Sequence, residues 1–363
     1  MSRKSRFKKD LRSLVKKDIH KPFSRTRYSK RRLSEKTIRD RWKFYSRMVD
    51  ILYDAGYKLE KVQNLGEKHL AALFADWDER ALKSHSVQNY LPLLRRLVEK
   101  IDKPDLLSVI DAYSIRKTRE NGARIEALLS SGEETPEVVN LTRGRSCTAH
   151  GVNYERVIEL VAQDDSLVAL QMRLMRAFGL RLREVHRLCP REDWRGGDLI
   201  IRRGSKGGRE RRVPVISSKQ RELLACACEI AGEQGGSMMP REYTEKRWRS
   251  HYYNVMRRNG VTRAVLGVTS HSLRHDYAEE NLQAELGSSA GRLPGGSRVR
   301  SDVALVADRK ARQAVSAYLG HCRWGITQYY LDPVAVQMAK PARRLSRVGR
   351  EAVEALERGE ALL

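Results

Sequence analysis

The sequence predicts a mainly α protein in two parts: a small all-helical domain, then a larger, mostly helical domain that holds a small antiparallel β-sheet. Three observations predict it. Apolar residues recur at helical spacing along most of the chain from Ser34 onward. One segment, "GGDLIIRRGSKGGRERRVPVI" (196–216), breaks that period, with two short β-type runs flanking a Gly-rich turn. A cluster of Ser, Gly, acids and Pro136 in "SSGEETPEVVNLTRGRS" (130–146) marks a linker over 131–148.

Residues 1–32 carry fourteen Lys/Arg against two acids, Asp10 and Asp18. Charge blocks of this kind read as a basic, flexible arm that solvates itself or lies on phosphate. The first domain is expected over 33–130. In "SEKTIRDRWKFYSRMVDILYDAGY", Ser34 is placed to cap a helix; Ile38, Trp42, Tyr45, Val49 and Leu52 follow at helical spacing, and Gly56 ends it. "GEKHLAALFADWDERAL" and "SHSVQNYLPLLRRLVEKI" give two more helices, the second closed by Pro104, and a fourth runs from about Val109 to Leu129. The second domain, 149–345, starts its helices near Val152, passes through the hairpin and resumes them at Ser218. "GSSAGRLPGGSRVRSD" (287–302) reads as an exposed loop. In the tail, 346–363, Val348, Ala352, Val353 and Leu356 form a helical stripe.

Among 363 residues, 71 Lys+Arg stand against 45 Asp+Glu, a formal charge of +26. This balance implies an anionic partner, most often nucleic acid. The five cysteines (147, 189, 226, 228, 322) fit neither a disulfide framework nor a zinc knuckle. The leading "MSRKSRFKKDLRSLVKKD" lacks an apolar signal core, and no apolar run is long enough to span a bilayer. A cytoplasmic protein with no membrane partner is the expectation.

Four pieces need one explanation: "FGLRLREV" with Arg181 and Glu184, "RGSKGGRERRVPV" with Lys206, "HSLRHDYA" with His271, Arg274 and His275, and "LGHCRWGITQYY" with His321 and the pair Tyr329–Tyr330. Alone, each has an ordinary reading. Arg181 and Glu184 suit a helical ion pair, Lys206 a solvated turn, His321 a packed histidine. "GSKGG" fails the P-loop spacing, and Ser272 stands where a zinc protease needs Glu after the first histidine. Together they supply two arginines, a lysine, two histidines and a tyrosine. That inventory suits phosphoryl transfer from a phosphodiester, with no metal and no cofactor. Arginine forks match phosphate oxygens, tyrosine attacks phosphorus, and lysine and histidine move protons.

In this order and at these spacings, the four motifs resemble the tyrosine recombinase/integrase family, which shares its catalytic fold with type IB topoisomerases. The helical domain at 33–130 resembles, more weakly, that family's SAM-like core-binding domain. The resemblance implies that Arg181 and Arg274 clamp the scissile phosphate and Lys206 is the general acid. His271 and His321 would contact the phosphate and manage protons, with Glu184 and His275 in support. The nucleophile lies nine residues after the histidine of "LGH", which selects Tyr330 and leaves Tyr329 to packing. The implied function is site-specific recombination of double-stranded DNA through a 3′-phosphotyrosine and a Holliday junction. It would be performed by a homotetramer on DNA that is monomeric when free, associated with the nucleoid in a bacterial, phage or mobile-element setting, with an accessory directionality factor as a further partner. A chromosome-dimer resolvase, a type IB topoisomerase-like enzyme, and a DNA-binding factor with a silent recombinase fold are the alternatives. Candidate DNA-binding residues are Lys30, Arg31 and Arg32 in the arm, Lys36, Arg39 and Lys43 on the first helix, Lys83 and Gln88 at the third, and Arg203 and Arg209 on the hairpin.

Overall fold

A computed structural model describes residues 2–21, 33–205, 208–286 and 302–320, the stretch 302–308 by its backbone alone. The chain divides into two compact units, the first running to Ser131 and the second starting at Gly132. The described residues are mainly helical, with one small antiparallel sheet.

The first unit comprises α1 (Arg3–Val15), α2 (Glu35–Asp54), a 3-10 turn (Val62–Asn64), α3 (Glu67–Glu79), α4 (Ser84–Lys100) and α5 (Asp105–Ser130). Ser34 caps α2, its Oγ accepting from Thr37 N at 3.2 Å. An aromatic cluster holds α2–α5 together. Phe74 stacks on Tyr113 at 4.0 Å, Trp77 meets Phe44 at 6.4 Å, and the buried Tyr45 hydroxyl donates to Leu93 O at 3.1 Å.

The expectation of a flexible arm over 1–32 is corrected for its first part. Phe7, Leu11, Val15 and Ile19 recur every four residues and are buried against α2 and its neighbours. Burial stabilises by about 1.5–3 kcal/mol for each such side chain, enough to order a segment whose charge suggested solvation. Acids from the rest of the unit neutralise part of that charge: Asp50 binds Lys4 and Lys8 at 3.1 and 2.8 Å, and Glu60 binds Arg3 and Arg6 at 3.0 and 3.2 Å. Arg41, buried on α2, donates to Ile19 O at 2.8 Å and Lys21 O at 2.7 Å, satisfying carbonyls where the segment leaves its helix.

The second unit begins earlier than expected. Residues 136–142, placed in the linker from sequence, form α6 (Pro136–Thr142), with Thr135 as cap and Pro136 in the first turn. There follow a 3-10 turn (Thr148–His150), α7 (Tyr154–Asp164), α8 (Ser166–Phe178), α9 (Leu182–His186), α10 (Pro190–Asp193), β1 (Trp194–Arg195), β2 (Asp198–Ile201), β3 (Arg211–Pro214), α11 (Ser218–Glu233), α12 (Glu245–Arg258), α13 (Ser272–Leu286) and α14 (Asp302–Tyr318). Helix α8 is apolar nearly all round and lies in the middle of the core, with Val168, Met172, Leu174, Met175 and Phe178 buried. Its one internal amide, Gln171, donates to Met238 O at 2.6 Å and accepts from the Trp248 indole at 3.3 Å. The hairpin read from sequence is present as β2–β3, with Leu199 opposite Val213 and Ile201 opposite Arg211. β1 adds a short third strand beside β2.

Asp276, buried on α13, accepts from Cys147 N and Thr148 N at 3.0 Å each and from the Thr148 hydroxyl at 2.8 Å. The stretch just before α7 is thereby fastened to α13. No described helix is long and apolar enough to cross a membrane.

Candidate active site

Arg181 ends the turn after α8 and is the N-cap of α9. Gly179 makes that turn possible: its φ is +58°, and a Cβ there would stand 2.4 Å from the Tyr277 ring. Glu184, one turn into α9, is 1% exposed. It accepts the Arg181 backbone N–H at 2.7 Å and the Arg181 Nη1 at 2.7 Å.

A second arginine meets the same carboxylate. Arg211, at the start of β3, donates Nη1 to Glu184 Oε1 at 2.7 Å and Nη2 to Oε2 at 2.8 Å, a bidentate pair. Its Nε donates to Tyr318 O at 2.7 Å, tying β3 to the last turn of α14. Arg274, in the first turn of α13 and fully buried, lies 3.9 Å from Glu184 Oε2. It donates to Gly179 O and, at 2.5 Å, to Leu319 O; Arg181 donates to that same Leu319 O at 3.2 Å. Three guanidinium groups from three elements thus converge on one carboxylate and on the carbonyls that close α8 and α14. Helix C-termini carry partial negative charge, so the carbonyls add to the attraction.

Burial alone would raise the Glu184 pKa. The hydrogen bonds and charge of Arg211 outweigh it, followed by Arg181 and Arg274, and hold the carboxyl at about 2. The site therefore keeps a carboxylate beneath its arginines at every physiological pH.

His271 immediately precedes α13. Its surface is exposed. Desolvation by the surrounding protein, then the charges of Arg274, Arg181 and Arg145, push its pKa down to about 4. It is therefore neutral at pH 7, able to accept a proton or share one. His275, one turn further on, is buried; desolvation and then His271 push it well below the ordinary range. The two rings meet edge to face at 5.2 Å. His275 is thus a packing partner for His271.

The structure brings together Arg181, Glu184, His271, Arg274 and His275. Lys206, His321 and Tyr330 lie outside the described residues, as do Lys30, Arg31 and Arg32. The remaining candidate DNA contacts differ among themselves. Arg39 and Lys43 on α2 and Lys83 before α4 are exposed, and Arg209 is partly exposed. Lys36 is exposed but paired with Asp40 at 2.5 Å. Arg203 is exposed and paired with Asp193 at 2.8 Å and with Glu192, which fastens the hairpin to α10. Gln88 is half-buried and donates to Ser114 Oγ at 3.3 Å, which ties α4 to α5.

Arg211 was not singled out from sequence, although a signal exists. In "RRVPV", β-alternation puts Arg211 on the face of Val213 and Val215, all three buried, with Arg212 exposed between. An arginine on the inward register of a strand needs a buried partner.

Residues 139–280 match the family model described as Integrase, and residues 29–104 match that described as phage integrase, N-terminal. A search among curated proteins found no match. The integrase match takes in Arg181, Glu184, Arg211, His271 and Arg274, the same residues whose side chains converge. The chain belongs to the tyrosine recombinase, or phage integrase, family.

Proposed function

We propose that this recombinase cuts and rejoins DNA with Tyr330 as its nucleophile, assisted by Arg181, Lys206, His271, Arg274 and His321. The Tyr330 oxygen attacks the scissile phosphorus and loses its proton to the histidines. A P–O bond to Tyr330 forms as the P–O5′ bond breaks, and Lys206 donates the proton that the leaving 5′-oxygen takes up. Arg181 and Arg274 carry the extra negative charge of the transition state. The 3′-phosphotyrosine conserves the energy of the phosphodiester, so the 5′-hydroxyl of a partner strand rejoins it without ATP. Two rounds among four protomers make and resolve a Holliday junction.

The observation that carries this reading is the convergence of Arg181 and Arg274 on Glu184, with His271 three residues before Arg274 at the start of α13. Glu184 and Arg211 hold the clamp in place; the bidentate geometry of their pair fixes the guanidinium planes around it. Integration into a target by a mobile element is the biological setting, with a chromosome-dimer resolvase using the same chemistry.

The test is a nicked suicide substrate resolved on a denaturing gel. Tyr330→Phe is expected to bind DNA and form no covalent band, while Tyr329→Phe retains it. The opposite pattern would reject the assignment. Relaxation of a supercoiled plasmid without exchange between two sites would point to a topoisomerase, and binding without any covalent band in the natural sequence to a silent fold.

A further inference from the structure

The cations of α1 and its C-cap, Lys16, include two sets. Arg3, Lys4, Arg6 and Lys8 are taken up by Glu60 and Asp50, as described above. Lys9, Arg12 and Lys16 recur at spacings of three and four, away from the buried stripe, and all are exposed. None of the three makes an ion pair among the described residues. Arg12 instead lies over the Trp42 ring, 5.8 Å from its centroid. Trp42 is one helical turn from Arg39 and adjacent to Lys43, both exposed. The stacking therefore sets the cationic face of α1 beside that of α2. The acid next to Arg39, Asp40, is already bound to Lys36.

We propose that Lys9, Arg12 and Lys16, continued by Arg39 and Lys43, form a ridge that binds the phosphate backbone of duplex DNA without reading its sequence. The inference rests on the recombinase reading only for the identity of the anion. It adds to the DNA-contacting surface a helix that lies before the segment matching the phage integrase N-terminal family. From Lys9 to Lys16 the helix rises about 10 Å, close to three phosphates of one strand. Lysine is a point charge with no planar fork for a base edge, so the ridge holds and orients the duplex while other contacts read it. Docking on α2 is what gives the ridge its effect: on a loose arm the same charges would have to be ordered on binding, at an entropic cost.

The experiment is fluorescence anisotropy of the full chain with a labelled duplex of arbitrary sequence, over a KCl series. Each phosphate contact contributes about 0.9 to the slope of log K against log salt. The triple variant Lys9→Gln/Arg12→Gln/Lys16→Gln is expected to flatten the slope by about 2–3, and Lys9→Gln/Lys16→Gln, which leaves the Trp42 stacking intact, by about 2. Lys4→Gln/Lys8→Gln removes two charges already bound to Asp50 and is expected to change it by less than about 1. An unchanged slope in the triple variant overturns the proposal. So does a Lys4/Lys8 variant that matches the Lys9/Lys16 one, since net charge and not the ridge would then set the slope. Tyr330→Phe, run beside them, is expected to keep the full slope, which separates this test from that of the cleavage chemistry.

Discussion

Replacing Glu184 with glutamine preserves volume and removes one charge from beneath three arginines. A carboxyl held at about 2 against an ordinary 4.5 makes its ionised form worth about 3 kcal/mol to the folded state. The route through contacts agrees. Arg211, with a side chain 4% exposed, would keep its burial and lose its bidentate counter-charge. Breaking one side of a buried pair costs about 3–5 kcal/mol. Glu184→Gln is therefore expected to destabilise the second unit by about 3–5 kcal/mol at pH 7. Hydrogen exchange of the full chain reads this locally: protection of β2–β3 peptides falls by about 100-fold or more, while α2–α5 peptides serve as an internal reference. The pH dependence has a fixed sign. Because the folded pKa is depressed, the contribution of Glu184 is fully present above about pH 4.5 and is lost as pH falls toward 2. Denaturant midpoints of the two proteins should converge across that window. A variant within about 0.5 kcal/mol of the natural protein at pH 7, below the range for a buried pair, or parallel acid profiles, would refute the reasoning.

Leu11→Ala should cost about 2–4 kcal/mol and lower the melting temperature, because Leu11 is 3% exposed in the α1–α2 seam; an unchanged melt would mean that the segment is a free arm after all. Gly204→Ala forces a Cβ to 2.3 Å from Arg183 O at a φ of +73°, whereas Gly196→Ala at φ +60° meets nothing within 4 Å. Thermal melts should show the first as much the costlier, and equal losses would contradict that geometry. Strand cleavage should persist in EDTA, since in the proposed mechanism arginines and lysine supply the positive charge that metal ions provide in other phosphoryl-transfer enzymes; strict dependence on Mg²⁺ would sink the mechanism.

Residue pattern carried α2–α5 well, because Ile38, Trp42, Tyr45, Val49 and Leu52 repeat without competition from another period. α1 was obscured by its composition. Four apolar residues at a spacing of four stand among many cations, and charge counting weighs the cations while burial follows the spacing. α6 was hidden by the same residues that start it, since Thr135 and Pro136 read as a loop breaker and as a helix start alike. At the site, Arg181, Glu184, His271 and Arg274 were legible because motif spacing reports chemistry. Arg211 was not, because one arginine in "RERR" resembles the next until a strand assigns each a face. For Arg203 the sequence shows a basic residue near a Gly-rich turn, and only the fold shows that Glu192 and Asp193 pair with it.

Asp276 gives the second unit an unusual mechanical wiring. Its carboxylate grips three donors of Cys147 and Thr148, and Ser146 adds a hydrogen bond to Glu279 at 2.9 Å. Both acids sit on α13, Asp276 just two residues beyond Arg274. Residues 146–148 are therefore hitched, ahead of α7, to the helix that carries Arg274. A displacement of residues 146–148 is therefore shared with α13 and not taken up by a loop. Less than one turn of helix separates Asp276 from Arg274, so the position of residue 147 and that of the guanidinium are fixed by the same rigid element.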